Sequence, residues 1–183
     1  FYIFKVKNFD RIDWRILMPD TTLLFSEILD LVHKAKTKNK KIEILRKYNS
    51  DAFRMIIKAS FDPEIVWVMP EGDVPYTPND APAGTEHTRL ATEARKLYRF
   101  IRGGDNVTPQ FKKEQMFLQT LEGLHKDEAE LLCYAKDKKL HKVVKGLSAP
   151  VVREAFGWDE DFMQIDLNTY PQEGRSASGM VDG

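Results

Sequence analysis

The residues best suited to chemistry lie in KDKKLHKVVKGLSAPVVREAFG, residues 136–157. Lys138, Lys139, Lys142 and Lys145 run up to Gly146, and Ser148 stands where a helix would begin. Ammonium groups beside a glycine turn at a helix start suit the holding of phosphate. The first backbone N–H groups of the helix point at the anion, and the lysines supply charge. A second set, Lys38, Lys40 and Lys41, lies in a segment from His33 to Lys58 that carries nine bases and two acids, Glu43 and Asp51. Arg89, Arg95, Lys96, Arg99 and Arg102 form a third, with Lys112 and Lys113 following. Most lysine runs end as solvated helix faces, and that reading stands beside the first. Placement favours phosphate: the bases gather at expected helix ends and turns, while acids collect in one loop and the C-terminal tail. The expected partner is a nucleic acid, held by its phosphate backbone without sequence readout.

Other chemistries lack their residues. Histidines at 33, 87, 125 and 141 are far apart, and with Cys133 they form no zinc-ligand spacing. RGGDN at 102–106 has glycines but no following Lys-Ser/Thr, so it is no phosphate loop. No serine sits in a nucleophile elbow. Glu64, Glu71, Asp73 and Asp80 could be gathered around a metal, but they read more simply as solvated loop acids. Cys133, beside Leu132, reads as a core residue. The expectation is therefore a non-enzymatic protein with no metal and no cofactor. A single cysteine fits a reducing compartment. The balance of 28 basic and 28 acidic residues argues against a uniformly basic coat, so any DNA-binding face must be local. The longest apolar runs are a few residues, too short to span a membrane.

The elements that must position these residues read as all-α, a compact bundle of about six to seven helices with helical hairpins, one long Pro-rich loop and flexible ends. Thr21 and Thr22 offer caps for a helix over 23–36, with Leu24, Ile28, Leu31 and Ala35 on one stripe. A second helix follows through Ile42, Leu45 and Tyr48, and Ser50 caps a third over 51–61. EIVWVM is a short extended run, and PEGDVPYTPNDAPAGTEH is the irregular connection. Thr85 caps a fourth helix carrying Leu90, Ala94, Leu97, Tyr98 and Ile101, which ends at Gly103-Gly104. Thr108-Pro109 opens a fifth to Leu121, a sixth covers 127–135, and a seventh runs from Ser148 to Phe156, stopped by Gly157.

Three parts follow from composition. Residues 1–21 form an N-terminal extension, with 1–17 either an upstream addition or a docked strand. Residues 22–158 form the helical module. Residues 159–183 form an acidic, partly mobile tail. Across the boundary between them Trp158, Phe162, Ile165 and Leu167 alternate with acids. Three roles are open to that stretch: competing with nucleic acid on the basic clusters, docking into the apolar groove of a partner protein, or packing on its own domain.

Two family resemblances extend this reading. LLFSEILDLVHKAKTKNKKIEILRKYNS, DPEIVWVMPEGDVPYTPNDAPAGTEHTRL, ARKLYRFIRGG and AKDKKL…KGLSAPVVREAFGW resemble segments of a family of small uncharacterised proteins of large, often marine, tailed bacteriophages. The likeness covers 22–158 and implies a viral origin, hence the cytoplasm of an infected bacterial host. More distantly, the element order resembles the N-terminal α-helical DNA-binding domain of ATP-dependent DNA ligases. Leu24–Leu45 stands for its opening helix, LLCYAKDKKL for its Leu-rich helix with a basic end, and KGLSAPVVREAF for its glycine turn and last helix. That resemblance implies contact between Lys145, Gly146 and Ser148 and the duplex backbone across the minor groove. The chain departs from the pattern in the extra HKVV before the glycine and in lacking Lys-x-Asp-Gly, since the terminal MVDG has no lysine. It cannot seal nicks alone. The implied role is binding to duplex or nicked DNA, accessory to replication or repair. The competing class is a protein-interaction factor, in host takeover or as a minor virion component.

Overall fold

The computed structural model describes residues 23–82 and 84–157. Its helices are α1 (Phe25–Lys34), α2 (Lys38–Lys47), α3 (Asp51–Phe61), α4 (Leu90–Glu93), α5 (Gln110–Gly123), α6 (Lys126–Lys136), α7 (Leu140–Val143) and α8 (Ala149–Phe156). A 3-10 segment, Ala94–Phe100, continues α4. Among the described residues there is no sheet, only an antiparallel bridge between Trp67 and Ile101. The all-α expectation holds.

Helix α3 forms the centre, with Phe53, Met55, Ile56 and Ile57 fully buried. It packs on α6, α4 and the 3-10 segment, while α2 lies between α1 and α8. Ser50 caps α3 as its position suggests, accepting from Phe53 N at 3.2 Å. Gly157 ends α8 at a left-handed φ of 54°, which glycine adopts without a Cβ penalty.

Elsewhere the helix starts differ from the expectation. Helix α1 begins at Phe25 rather than at 23, and its N-cap is Leu24. Leu24 N donates to Glu27 Oε2 at 2.8 Å, and Phe25 N donates to Glu128 Oε1 at 3.0 Å. Thr85 caps nothing: its hydroxyl donates to Pro82 O, and Leu90 N is met by Glu128 Oε2 at 2.7 Å. One α6 carboxylate thus answers the first N–H of both α1 and α4. Thr108 is also displaced as a cap, since Pro109 takes the N-cap of α5.

The fourth helix is α-helical for only one turn. Ala94, Leu97 and Phe100 are all buried, and a 3-10 period of three residues stacks them on one line. The segment then joins the EIVWVM run, with Val68 N to Phe100 O and Arg102 N to Val66 O both at 2.8 Å. The Pro-rich connection is pinned. Lys136 Nζ, deeply buried, donates to Pro70 O at 2.7 Å and Gly72 O at 3.2 Å, and Asp137 Oδ1 accepts from Gly72 N at 3.3 Å.

Burial holds the Glu128 carboxyl above its ordinary pKa, against the opposing pull of the Leu90 and Phe25 N–H bonds. A pKa raised by folding contributes stability below the unfolded value and loses it as pH rises through the folded one. Glu128→Ala is expected to cost roughly 2–6 kcal/mol in urea unfolding, about 1–3 for each buried N–H left without an acceptor. Glu128→Gln turns an NH2 toward one of them and is expected to cost about half as much. The stability gap between wild type and Glu128→Gln should narrow as pH rises above the ordinary carboxylate range. A gap independent of pH would refute the raised pKa.

Candidate nucleic-acid interface

The C-terminal end of α1 runs through extended Ala35 to Thr37, which caps α2 by accepting from Lys40 N at 3.3 Å. The turn between α7 and α8 packs against this connection. Lys41 Nζ donates to Val32 O at 2.5 Å and to Lys145 O at 2.9 Å. From the other side His33 Nδ1 accepts from Lys145 N at 3.1 Å. Both polar groups of the Lys145 backbone are therefore held by the α1–α2 corner. Lys41 is only 7 % exposed. Burial lowers its pKa, and the charge of Lys145 adds to the effect.

Gly146 is required here for two reasons. Its φ is +79°, and a Cβ there would stand 2.6 Å from Lys41 Cε. Lys41 and Gly146, expected as phosphate contacts, are placed as the builders of the turn. Ser148 occupies the N-cap of α8 as expected, but its hydroxyl makes no capping bond.

The remaining expected lysines divide into three groups. Lys38 pairs with Glu154 of α8, and Lys40 pairs with Glu43 at 3.0 Å. Lys138, at a left-handed φ of 55°, donates to Asp62 O at the end of α3, and burial lowers its pKa against the pull of Asp62. Lys139 lies 3.8 Å from Asp137. Lys138 and Lys139 thus belong to the corner where α6 meets the Pro-rich connection, not to the glycine turn. Lys142 and Lys145 are exposed, as is Lys36, which lies in the α1–α2 connection and has no ion pair among the described residues. Lys36 and His33 are the members of this corner that the residue pattern did not single out. Trp158, Phe162, Ile165 and Leu167 lie outside the described residues.

Burial pushes the Cys133 thiol up to about 11, so at neutral pH it stays protonated and weakly nucleophilic. Among the described residues no three His, Cys, Asp or Glu side chains gather around one point. No helix among them is long and apolar enough to cross a membrane.

Residues 28–142, more than half of the chain, match the family of unknown function DUF6433. The chain belongs to that family. The DUF6433 match takes in Val32, His33, Lys36 and Lys41 on one side of the corner and ends in α7 at Lys142, short of the turn that they hold. Neither a curated protein nor a solved structure matches the chain.

Lys41→Met leaves the Val32 and Lys145 carbonyls without their shared donor and should lower stability by about 1–3 kcal/mol. Gly146→Ala should cost a similar amount through its left-handed φ and the crowding of Lys41. Thermal denaturation checks both; a Lys41→Met protein as stable as the wild type would mean that the ammonium is not held inside.

Proposed function

We propose that this chain is a non-enzymatic protein that binds the phosphate backbone of duplex or nicked DNA where the α1–α2 connection meets the turn before α8. The observation that carries the reading is the double hold on Lys145. With its carbonyl bonded to Lys41 and its N–H to His33, the turn is rigid before any ligand arrives. Exposed Lys36, Lys142 and Lys145 lie on the segments that lead into this junction, and at the start of α8 Ser148 leaves its capping position unused. A helix start with an open cap attracts anions, and a turn whose backbone is already held loses less freedom on binding.

The likeness to the ligase DNA-binding domain supports the same turn as the contact point and a role accessory to DNA replication or repair. The likeness to phage proteins supports the infected bacterial cytoplasm as the place. Lys38 and Lys40 would contribute less, because each must leave a carboxylate to meet a phosphate.

A second reading has its own observation. Val107 and Phe111 are 92 % and 65 % exposed on one turn, which suits a protein-interaction factor of host takeover or a minor virion component.

Three lysine contacts imply a slope of log affinity against log salt of about −2.7, at −0.9 for each phosphate neutralised. Lys36→Glu with Lys145→Glu should flatten that slope by about 1.8 and weaken binding at low salt, whereas Arg102→Glu with Lys112→Glu should change it little. Mobility-shift titrations on duplex, nicked and single-stranded DNA measure this. Absence of binding at low salt rejects the proposal; equal loss from both pairs would remove any special role for the turn.

A further inference from the structure

Among the described residues, the large apolar side chains left exposed are Val107 and Phe111, and both stand on one corner between the 3-10 segment and α5. The corner is built to be rigid. Asp105 Oδ1 accepts from Val107 N at 2.9 Å and Thr108 N at 3.0 Å, and the buried Lys113 of α5 donates to Asp105 O. Gln110 Nε2 donates to Val68 O at 2.6 Å, tying the corner to the extended run. Exposed Arg102 and Lys112 flank it, and neither has an ion pair among the described residues.

A surface of opposite character lies between α1 and α6. It is a groove of about 330 Å³, with Leu29, Leu131 and Val144 in its floor and Asp30, Asp127 and Glu130 at its rim. That volume falls within the roughly 300–1,000 Å³ of pockets that hold ligand-sized groups. Lys34 pairs with Asp30 at 2.5 Å and offsets one of the charges, so the rim stays acidic through Asp127 and Glu130. The corner and the groove share no residue, and neither is filled by the chain's own described residues.

We infer that the Arg102–Lys112 corner of one copy docks in the α1–α6 groove of a second copy. Phe111 and Val107 meet the apolar floor, and Arg102 and Lys112 meet Asp127 and Glu130. Charge complementarity selects a second copy as the occupant, because the chain is neutral overall and carries both halves of the match. Two different patches in contact make a head-to-tail interface, which grows into a ring or an open chain rather than closing as a two-fold dimer. One corner in one groove is a small contact, so the association is weak.

Sedimentation of the full, nucleic-acid-free chain tests this. The wild-type average mass should rise past that of a dimer between about 1 μM and 1 mM, the affinity range expected of an interface below about 1,200 Å². Phe111→Asp, blocked at the corner, and Glu130→Lys, blocked at the groove, should each remain monomeric. Mixed in equal amounts they should form a one-to-one dimer and stop, because only one intact corner and one intact groove remain compatible. Asp127→Lys is the second groove variant, used if circular dichroism shows Glu130→Lys to be unfolded. A wild type that stays monomeric at 1 mM overturns the inference. So does a dimer that survives both substitutions, or a folded mixture that remains monomeric. Loss of a foreign protein partner on Phe111→Asp, with a monomeric wild type, would assign the corner to that partner instead.

Discussion

One carboxylate closes two helices. Phe25 and Leu90 sit in the core at 5 % and 0 % exposure, so their N–H groups cannot turn to water. Glu128, 1 % exposed, meets both with its two oxygens. A buried donor without a partner costs more than an average hydrogen bond returns, which makes this bridge a condition of the packing. It sets where α1 and α4 stand relative to α6. From there the consequences run outward: α1 carries Val32 O and His33 to the turn before α8, and with α6 it walls the acidic groove.

The lysines divide by a related logic. Lys41 reaches Val32 O in the last turn of α1, and Lys138 reaches Asp62 O at the C-cap of α3. Both ammonium groups therefore lie at the negative end of a helix, where carbonyls lack intrahelical partners. Lys113 and Lys136 likewise reach loop carbonyls from buried positions. A long flexible stem can bury its methylenes and still deliver charge to such a carbonyl. Much of the positive charge that reads as surface in a lysine run is thus structural. The charge left over is smaller and better placed.

Helical period carried more of this than run composition did. On α2, Lys41 precedes Leu45 and Tyr48 by four and seven residues, which puts it on the buried stripe, whereas the adjacent Lys40 is about 100° away on the solvent side. On α6, Glu128 leads Leu131, Leu132 and Ala135 on the apolar face, and on α5 Lys113 leads Phe117 and Leu121. Charged residues in phase with an apolar stripe marked the internal bonds. What they bonded to was not legible, because Glu128 answers residues 103 and 38 positions away. The same distance explains the misplaced cap at Thr85, whereas Thr108 is displaced locally, with Pro109 at the N-cap and Asp105 accepting from the Thr108 N–H. Helix α7, four residues long, is too short for a period, and the 3-10 segment follows from how Ala94, Leu97 and Phe100 stack in the finished core.

The two surfaces meet at His33, which lines the groove and accepts from Lys145 N in the turn, and at Val144 beside it. The far end of α1 holds the basic turn through Val32 and His33, and its side lends Asp30 to the acidic rim. Its start is held by Glu128. Close-packed interiors move by discrete repacking rather than by gradual bending, so α1 can move only by reseating as a unit, and the direct route between the surfaces runs through His33. Reseating would break the Phe25–Glu128 bond or the Lys41 bonds, each buried and each costly to leave open. The buried bonds therefore hold α1 in place, and the coupling that remains is local: a side chain entering the groove meets His33, and through it the N–H that fixes the turn.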